Sequence, residues 1–422
     1  MLRFLCLLIL TTAFANRATF DNYQVHRVVP ENQEQLNILK DLEDDPNGLS
    51  FWVGPSRIQK AVDIMIPPHM LPRFNDILAS INLKSEVYIG NVQHLIDTER
   101  PKVRPTVDFG WTDYYTLDEI YAWLDFLNET YPGVVTPIVG GESYEGRQIH
   151  GVKVSHRAGN PSVVLEGGIH AREWISPATV TYILNKLLTS QDPVMQDLVQ
   201  SFDYYVFPVV NPDGYVYTHT TDRTWRKTRS LSNNLCYGAD PNRNWDFHWK
   251  EAGASSSPCS DSYAGESPFS EIETRSLGRY LDDISDNLVG YLDFHSYSQL
   301  LMFPYGHTHE HVSNYDELLA VGLDAAAALA LNNGTHYDVG SIYDAIYPAS
   351  GGSIDWVRGV LDTPYTYVWE LRDTGRYGFL LPASQIIDTA EETLNSAVVI
   401  LQHAKGRLRG SKNNEVQDIA RP

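Results

Sequence analysis

An apolar run, Ser162-Val163-Val164-Leu165-Glu166, leads into Gly167-Gly168-Ile169-His170-Ala171-Arg172-Glu173-Trp174, and a helical pattern starts near Ile175. Strand, turn and helix in that order form the repeating unit of an α/β sheet, and the carboxyl ends of such strands are where sites are built. The order constrains both the fold and the address of any site. His170 and Glu173 fall in the turn itself. A neutral imidazole and a carboxylate so close in sequence can bind one Zn²⁺ from a single turn, but a catalytic zinc needs a third protein ligand and an open position for water. A distant partner is therefore required. Alone, His-x-x-Glu is a weak signal that more often marks an exposed polar turn, so the rest of the chain has to decide.

From Pro137 onward apolar strands alternate with helical stretches. Strands are expected at Ile149–Val154, Ser162–Ile169, Tyr204–Val210, Leu288–Asp293 and Tyr365–Trp369, and helices at Asp118–Tyr131, Ile175–Thr189, Glu271–Asp286, Tyr315–Asn332 and Ser384–Ala404. That pattern predicts an α/β domain whose mixed, mostly parallel sheet is flanked by helices. Ahead of it, residues 24–90 read strand (Gln24–Pro30), helix (Asn32–Leu42), strand (Leu49–Val53), strand (Ala61–Pro67), helix (Met70–Ile81), strand (Glu86–Gly90). This is the βαββαβ order of a small α+β ferredoxin-like module. Between the two lies Glu99-Arg100-Pro101-Lys102-Val103-Arg104-Pro105, basic and broken by proline, which reads as an exposed boundary and a place where a zymogen could be cut. The polar stretch beyond about Arg407 is expected to fray.

The 422 residues exceed one ordinary domain, and 43% apolar content supplies a large core. Met1–Ala15 has a basic residue (Arg3), an apolar stretch from Phe4 to Leu10 and a small-x-small ending at Ala13-Phe14-Ala15, the pattern of a cleaved secretory signal. No later stretch is long and apolar enough to span a membrane, so a secreted chain with no membrane partner is expected. Cys6 would leave with the signal, which leaves Cys236 and Cys259 as a pair in an oxidising compartment. A disulfide there would stabilise the fold by about 3 kcal/mol in the chain-entropy description. A formal charge of −21 argues against a nucleic-acid partner, because phosphate binding needs a basic face.

The distant partner to His170 and Glu173 is best sought at His295, which again ends an apolar strand, in Leu292-Asp293-Phe294-His295-Ser296-Tyr297. His307, His309 and His311 compete, but an exposed loop explains their alternation more simply. Glu370, in Trp369-Glu370-Leu371-Arg372-Asp373, also stands at a strand end. It is either a general base for an attacking water or half of an ion pair with Arg372. Arg226, in Thr224-Trp225-Arg226-Lys227, and Arg243, in Asp240-Pro241-Asn242-Arg243-Asn244-Trp245, could hold an oxyanion or grip a carboxylate through paired N–H bonds. There is no Gly-x-Ser-x-Gly, and no free cysteine in the mature chain, to support a serine or cysteine nucleophile.

These segments, with Asn-Pro-Asp-Gly-Tyr (211–215), Trp-Arg-Lys-Thr-Arg (225–229), Ala-Ser-Ser-Ser-Pro-Cys (254–259), His-Ser-Tyr-Ser-Gln (295–299), Ala-Ser-Gly-Gly-Ser-Ile-Asp-Trp (349–356) and Glu-Leu-Arg-Asp-Thr-Gly-Arg-Tyr-Gly-Phe (370–379), resemble the secreted digestive zinc metallocarboxypeptidases of the carboxypeptidase A type. The likeness runs collinearly from about Thr116 to His403, and the preceding module resembles that family's pro-segment. Two histidines and one glutamate form the known catalytic zinc site of carboxypeptidase A. The resemblance implies one zinc per chain on His170, Glu173 and His295, with Glu370 as the base. Arg226 would polarise the scissile carbonyl, and Asn242, Arg243 and Tyr347 would bind the terminal carboxylate of the peptide. Arg172 and Tyr297 would line more distant substrate positions, and Asp240 would orient His170. Non-proline cis peptides would fall at Ser296–Tyr297, Pro304–Tyr305 and Arg372–Asp373.

The resemblance further implies substrates that are peptide and protein C-termini, a monomeric enzyme, and activation by a trypsin-like protease. The expected division is a signal at 1–15, a pro-segment at 16–102, a catalytic domain at 103–408 and a polar tail at 409–422. Arg100 and Arg104 are each followed by proline, which fixes φ and removes the N–H, so Lys102–Val103 is the expected cut. Ile354 matches the floor of the family's specificity pocket, with Ile342, Ile346, Ala349, Val368 and Phe379 on its walls; Val368 replaces a threonine of carboxypeptidase A. An apolar floor predicts hydrophobic C-terminal residues. Asn128-Glu-Thr and Asn333-Gly-Thr are acceptor motifs for glycans.

Overall fold

The computed structural model describes residues 17–101, 109–232 and 236–419, with side chains as far as Leu408 at the C-terminal end. The expected signal, the Lys102–Val103 bond, Arg104 and the side chains of the tail from 409 lie outside that description. The first module runs β1 (Gln24–Val28), α1 (Gln33–Asp44), β2 (Ser50–Val53), β3 (Val62–Ile66), α2 (Leu71–Ser80), β4 (Ser85–Ile89), followed by a short α3 (Val92–Thr98). Its strands form an antiparallel sheet in the order β2-β3-β1-β4, the βαββαβ module expected, with α3 as an unexpected extra turn. Alternation along β3 explains how one small sheet serves two purposes. Val62, Ile64 and Ile66 face the core shared with Leu39, Phe74 and Leu78 of the helices. Met65, with Val25, Trp52 and Ile89, packs instead against Tyr297, Phe379 and Leu380 of the larger domain.

The larger domain continues with α4 (Leu117–Thr130), β5 (Val135–Glu142), β6 (Gln148–Val154), β7 (Ser162–Gly167), α5 (Ile175–Thr189), α6 (Pro193–Val199), β8 (Asp203–Phe207) and α7 (Pro212–Thr220). After a long irregular stretch come α8 (Ile272–Asp283), β9 (Leu288–Ser296), β10 (Leu300–Phe303), α9 (Tyr315–Asn333), β11 (Asp338–Ser341), α10 (Ile342–Ala345), α11 (Ser353–Gly359), β12 (Tyr365–Leu371) and α12 (Ile386–Ile419). The eight strands are ordered β11-β10-β12-β9-β7-β8-β6-β5. Pairs β10/β11, β12/β9, β7/β9 and β7/β8 are parallel, and β10/β12, β5/β6 and β6/β8 antiparallel, so the sheet is mixed and mostly parallel as expected. Every residue of β7 is buried, which is why a central strand reads as an unbroken apolar run. Helices α4, α5, α9 and α12 cover one face, and α8 and α11 the other.

Chain order reverses at β7, which feeds β8 on one side and meets β9 on the other, and this is the switch point where α/β sheets build sites. Strands β5, β10 and β11 were not expected. β5 exposes three of its first five residues, and β10 and β11 are only four residues long, too short for periodicity to register. The polar tail is helical in its backbone to Ile419, where fraying was expected. A helix already nucleated extends by one hydrogen bond per residue, and no proline interrupts it before Pro422. His307 is also not in a simply exposed loop: it is half-buried, stacks on His248 at 3.8 Å and meets Asp355 at 2.8 Å.

Candidate active site

Three strand ends supply the site. His170 and Glu173 sit in the turn between β7 and α5, His295 is the penultimate residue of β9, and Glu370 on β12 is its register neighbour. The Nδ1 atoms of His170 and His295 are 3.0 Å apart, and they lie 2.8 and 3.1 Å from the two oxygens of Glu173. All three residues are buried, and one donor atom from each lies within 4.8 Å of the others. Ligands about 2.0–2.1 Å from a tetrahedral zinc are separated by about 3.3 Å, so the two imidazoles and the carboxylate fit that ion with little adjustment. Burial alone would push the Glu173 carboxyl up, but the two imidazoles outweigh it and hold the group well below its ordinary range.

The outward nitrogens of both rings are also held. His170 Nε2 lies 3.0 Å from Asp240, which also accepts from Arg226 at 2.8 Å and from the Asn242 N–H at 2.8 Å. His295 Nε2 lies 3.0 Å from Asp293. Arg226 reaches to 3.6 Å from Glu173, so its guanidinium borders the metal position. Glu370 is not paired with Arg372, which binds Glu392 at 2.5 and 2.8 Å. Freed of that partner, Glu370 lines the cleft, where desolvation pushes its carboxyl up to about 8 against the pull of His295. The ion-pair reading of Glu370 with Arg372 is thereby overturned.

One cavity is lined by His170, Glu173, His295, Glu370, Arg226, Asn242, Arg243, Tyr297 and Tyr347. Ile342, Ile346, Ala349, Ile354, Val368 and Phe379 line the same cavity. Asp355 also borders it, but its carboxylate accepts from the Gly306 and His307 N–H groups at 2.9 and 3.0 Å and meets the His307 ring. Arg172 lies apart, in an adjoining cavity beneath the first module with Arg226, Arg243 and Tyr347. The Cys236–Cys259 disulfide is formed, with Cα atoms 5.3 Å apart. The three expected non-proline cis peptides, Ser296–Tyr297, Pro304–Tyr305 and Arg372–Asp373, are all present.

The first module sits over this cleft. Arg172 donates to the Phe51 carbonyl at 3.2 Å, Tyr297 donates to Asp63 at 2.7 Å, and the Trp52 ring meets Phe379 at 5.2 Å. Trp52 and Val53 themselves line the cavity. At the module's end Glu99 accepts two bonds from Arg223, both residues wholly buried, and breaking such a pair costs about 3–5 kcal/mol. The sequence reading missed these contacts, and also Asp293 and Met302. Asp293 was legible in principle, since residues two apart on a strand share a face.

A buried His/Glu/His cluster at the switch point, a carboxylate beside it and an arginine-lined apolar cavity define a metal-dependent hydrolase of the α/β class. Residues 120–396 match the zinc carboxypeptidase family and residues 26–99 match the carboxypeptidase activation peptide. The chain is 47% identical to zinc carboxypeptidase A 1 of Anopheles gambiae over 403 residues, covering 94% of this chain and 93% of that one. It is 40% identical to carboxypeptidase A1 of Bos taurus over 418 residues, 96% and 99% of the two chains. The solved carboxypeptidase A from Helicoverpa armigera superposes with a TM-score of 0.83 at 28% identity, over 92% of this chain and 98% of that one. The chain belongs to the zinc carboxypeptidase family, with its activation peptide attached. It is a peptide hydrolase made as a zymogen, it acts on peptide C-termini, and proteolysis activates it.

Proposed function

We propose that the chain is a secreted zymogen whose mature part, beginning at Val103, removes hydrophobic residues from the C-termini of peptides and proteins as a monomer. One zinc ion per chain would be held by His170, Glu173 and His295. When bound, zinc supplies a Lewis acid for the scissile carbonyl and makes the attacking water more acidic. Glu370 takes the proton of that water and passes it to the leaving amine. Arg226, fixed by Asp240, donates to the carbonyl oxygen as negative charge develops on it. Asn242, Arg243 and Tyr347 bind the terminal carboxylate, which sets the distance from the chain end to the bond that breaks. Arg172 and Tyr297 bind residues further along the peptide. In the zymogen those two side chains are engaged by Phe51 and Asp63. Secretion accords with the leader-like start and the disulfide; no helix among the described residues is long and apolar enough to cross a membrane.

The observation that carries the specificity is the apolar pocket, with Ile354 buried and the neighbouring Asp355 consumed by Gly306 and His307. An unpaired ammonium or guanidinium pushed into it would lose its hydration at a cost of several kcal/mol. An aromatic or large aliphatic side chain gains about 2 kcal/mol by burial there. Comparing kcat/KM for C-terminal Phe and C-terminal Arg substrates in the native enzyme and in Ile354→Asp tests this. Native preference for Phe, moving toward Arg in the variant, is expected; native preference for Arg, or no movement, would place another residue at the floor.

A further inference from the structure

We infer that Asp293 is a positioning residue for the metal centre: its carboxylate selects the tautomer of His295 that leaves Nδ1 open to the metal. The inference rests on the reading of His170, Glu173 and His295 as zinc ligands. Asp293 is wholly buried and precedes His295 by two positions on β9, so both side chains leave the strand toward the face covered by α11. Its Oδ2 lies 3.0 Å from His295 Nε2 and accepts from the Ser353 hydroxyl at 3.2 Å. Among the described residues its one ion-pair partner is His295.

A carboxylate can only accept, so this contact requires the hydrogen on Nε2. A neutral ring protonated there carries its lone pair on Nδ1, the atom that faces Glu173 and His170. A second group competes for the same nitrogen. Asn242 Nδ2, an amide donor whose Oδ1 is already accepting from the Ser353 N–H, stands 3.3 Å from His295 Nε2. If that amide won, Nε2 would have to accept, the hydrogen would move to Nδ1, and the ring would be closed to a metal. Asp293 tips the choice, as Asp240 does at His170. Because Ser353 opens α11 and is followed by Ile354, the same carboxylate also ties the metal ligand to the helix that floors the specificity pocket.

The test is zinc affinity of the full-length chain, measured by competition with a chromophoric chelator, with the melting temperature of the metal-free proteins recorded alongside. Asp293→Ala should weaken zinc binding about 10- to 100-fold. Asp293→Asn, which keeps an acceptor oxygen and loses the charge, should fall between the two. Adding Asn242→Ala to Asp293→Ala removes the competing amide and should recover part of the loss, an effect that a merely structural role would not produce. Native affinity in either folded Asp293 variant overturns the inference, as does a drop in metal-free melting temperature with affinity intact. If Asp293→Ala does not fold, the Asp293→Asn comparison decides alone. Failure of the native protein to bind zinc would instead overturn the reading of the three ligands.

Discussion

At Glu370 the chemistry depends on which neighbour a carboxylate finds. In sequence, Arg372 is the nearest cation, and an ion pair with it stood as the alternative to a base. Strand alternation places the two on the same side of β12 in principle, but Arg372 lies beyond the strand's last residue, Leu371, and turns to Glu392 on α12. Glu370 is left facing His295 and Arg226, both of which act on its charge. Glu370→Gln removes the proton acceptor and keeps the shape, so zinc content and melting temperature should stay near native while kcat falls by about 10²- to 10⁴-fold. Near-native turnover would return Glu370 to a structural role. Asp355 illustrates the converse: in sequence it is an acidic residue next to the pocket floor, and only its bonds to Gly306 and His307 show that its charge is not available to a cationic substrate.

Among the elements, the turn from β7 to α5 and the edge of the small sheet do most to set the cleft. The first was readable because its signals are local: a buried apolar strand, two glycines and a helix from Ile175 to Thr189. The seating of β2 over the cleft was not, since nothing in Ser50-Phe51-Trp52-Val53 names its partners. Beside it, Glu43 on α1 borders the arginine-lined cavity, and desolvation, with Asp44 and Asp261 adding to it, pushes its carboxyl up to about 7. The folded zymogen therefore holds this proton to higher pH than the unfolded chain, whose carboxyl titrates near 4.5. Stability from this group is full below about pH 4.5 and is lost as pH rises through about 7. Glu43→Gln should match the native zymogen in melting temperature near pH 4.5 and exceed it increasingly toward pH 7.5. A difference independent of pH would show that Glu43 is not the source.

For the whole molecule, two measurements bear on the zymogen reading. Metal analysis of the mature enzyme should find one zinc per chain, and stripping it should abolish hydrolysis; undiminished turnover in metal-free protein would exclude a metal-dependent reaction. Activation by a trypsin-like protease should yield a chain beginning at Val103. Arg100 is engaged by Asp113 at 2.9 and 3.0 Å and by the Tyr114 carbonyl at 2.8 Å, which adds to the barrier that the following proline already sets. A start elsewhere on N-terminal sequencing would show that access, and not local chemistry, selects the bond.

What the sequence alone determined is whatever depends on neighbours along the chain: the long apolar strands, the helix expected at Asp118–Tyr131 and found at Leu117–Thr130, and the turn bearing His170 and Glu173. Strand ends pointed to His295 and Glu370 as distant members, and the family resemblance then implied their roles. Tertiary structure decided what depends on contacts between remote segments. His295 meets His170 across 125 residues of sequence, Glu370 is separated from Arg372's charge by Glu392, and Phe51 and Asp63 reach Arg172 and Tyr297. The physical reason is that periodicity and turn chemistry act over a few residues, whereas the partner of a buried charge is set by which strands lie side by side. Short strands such as β10, and a carboxylate such as Asp293, acquire their roles only once that order exists.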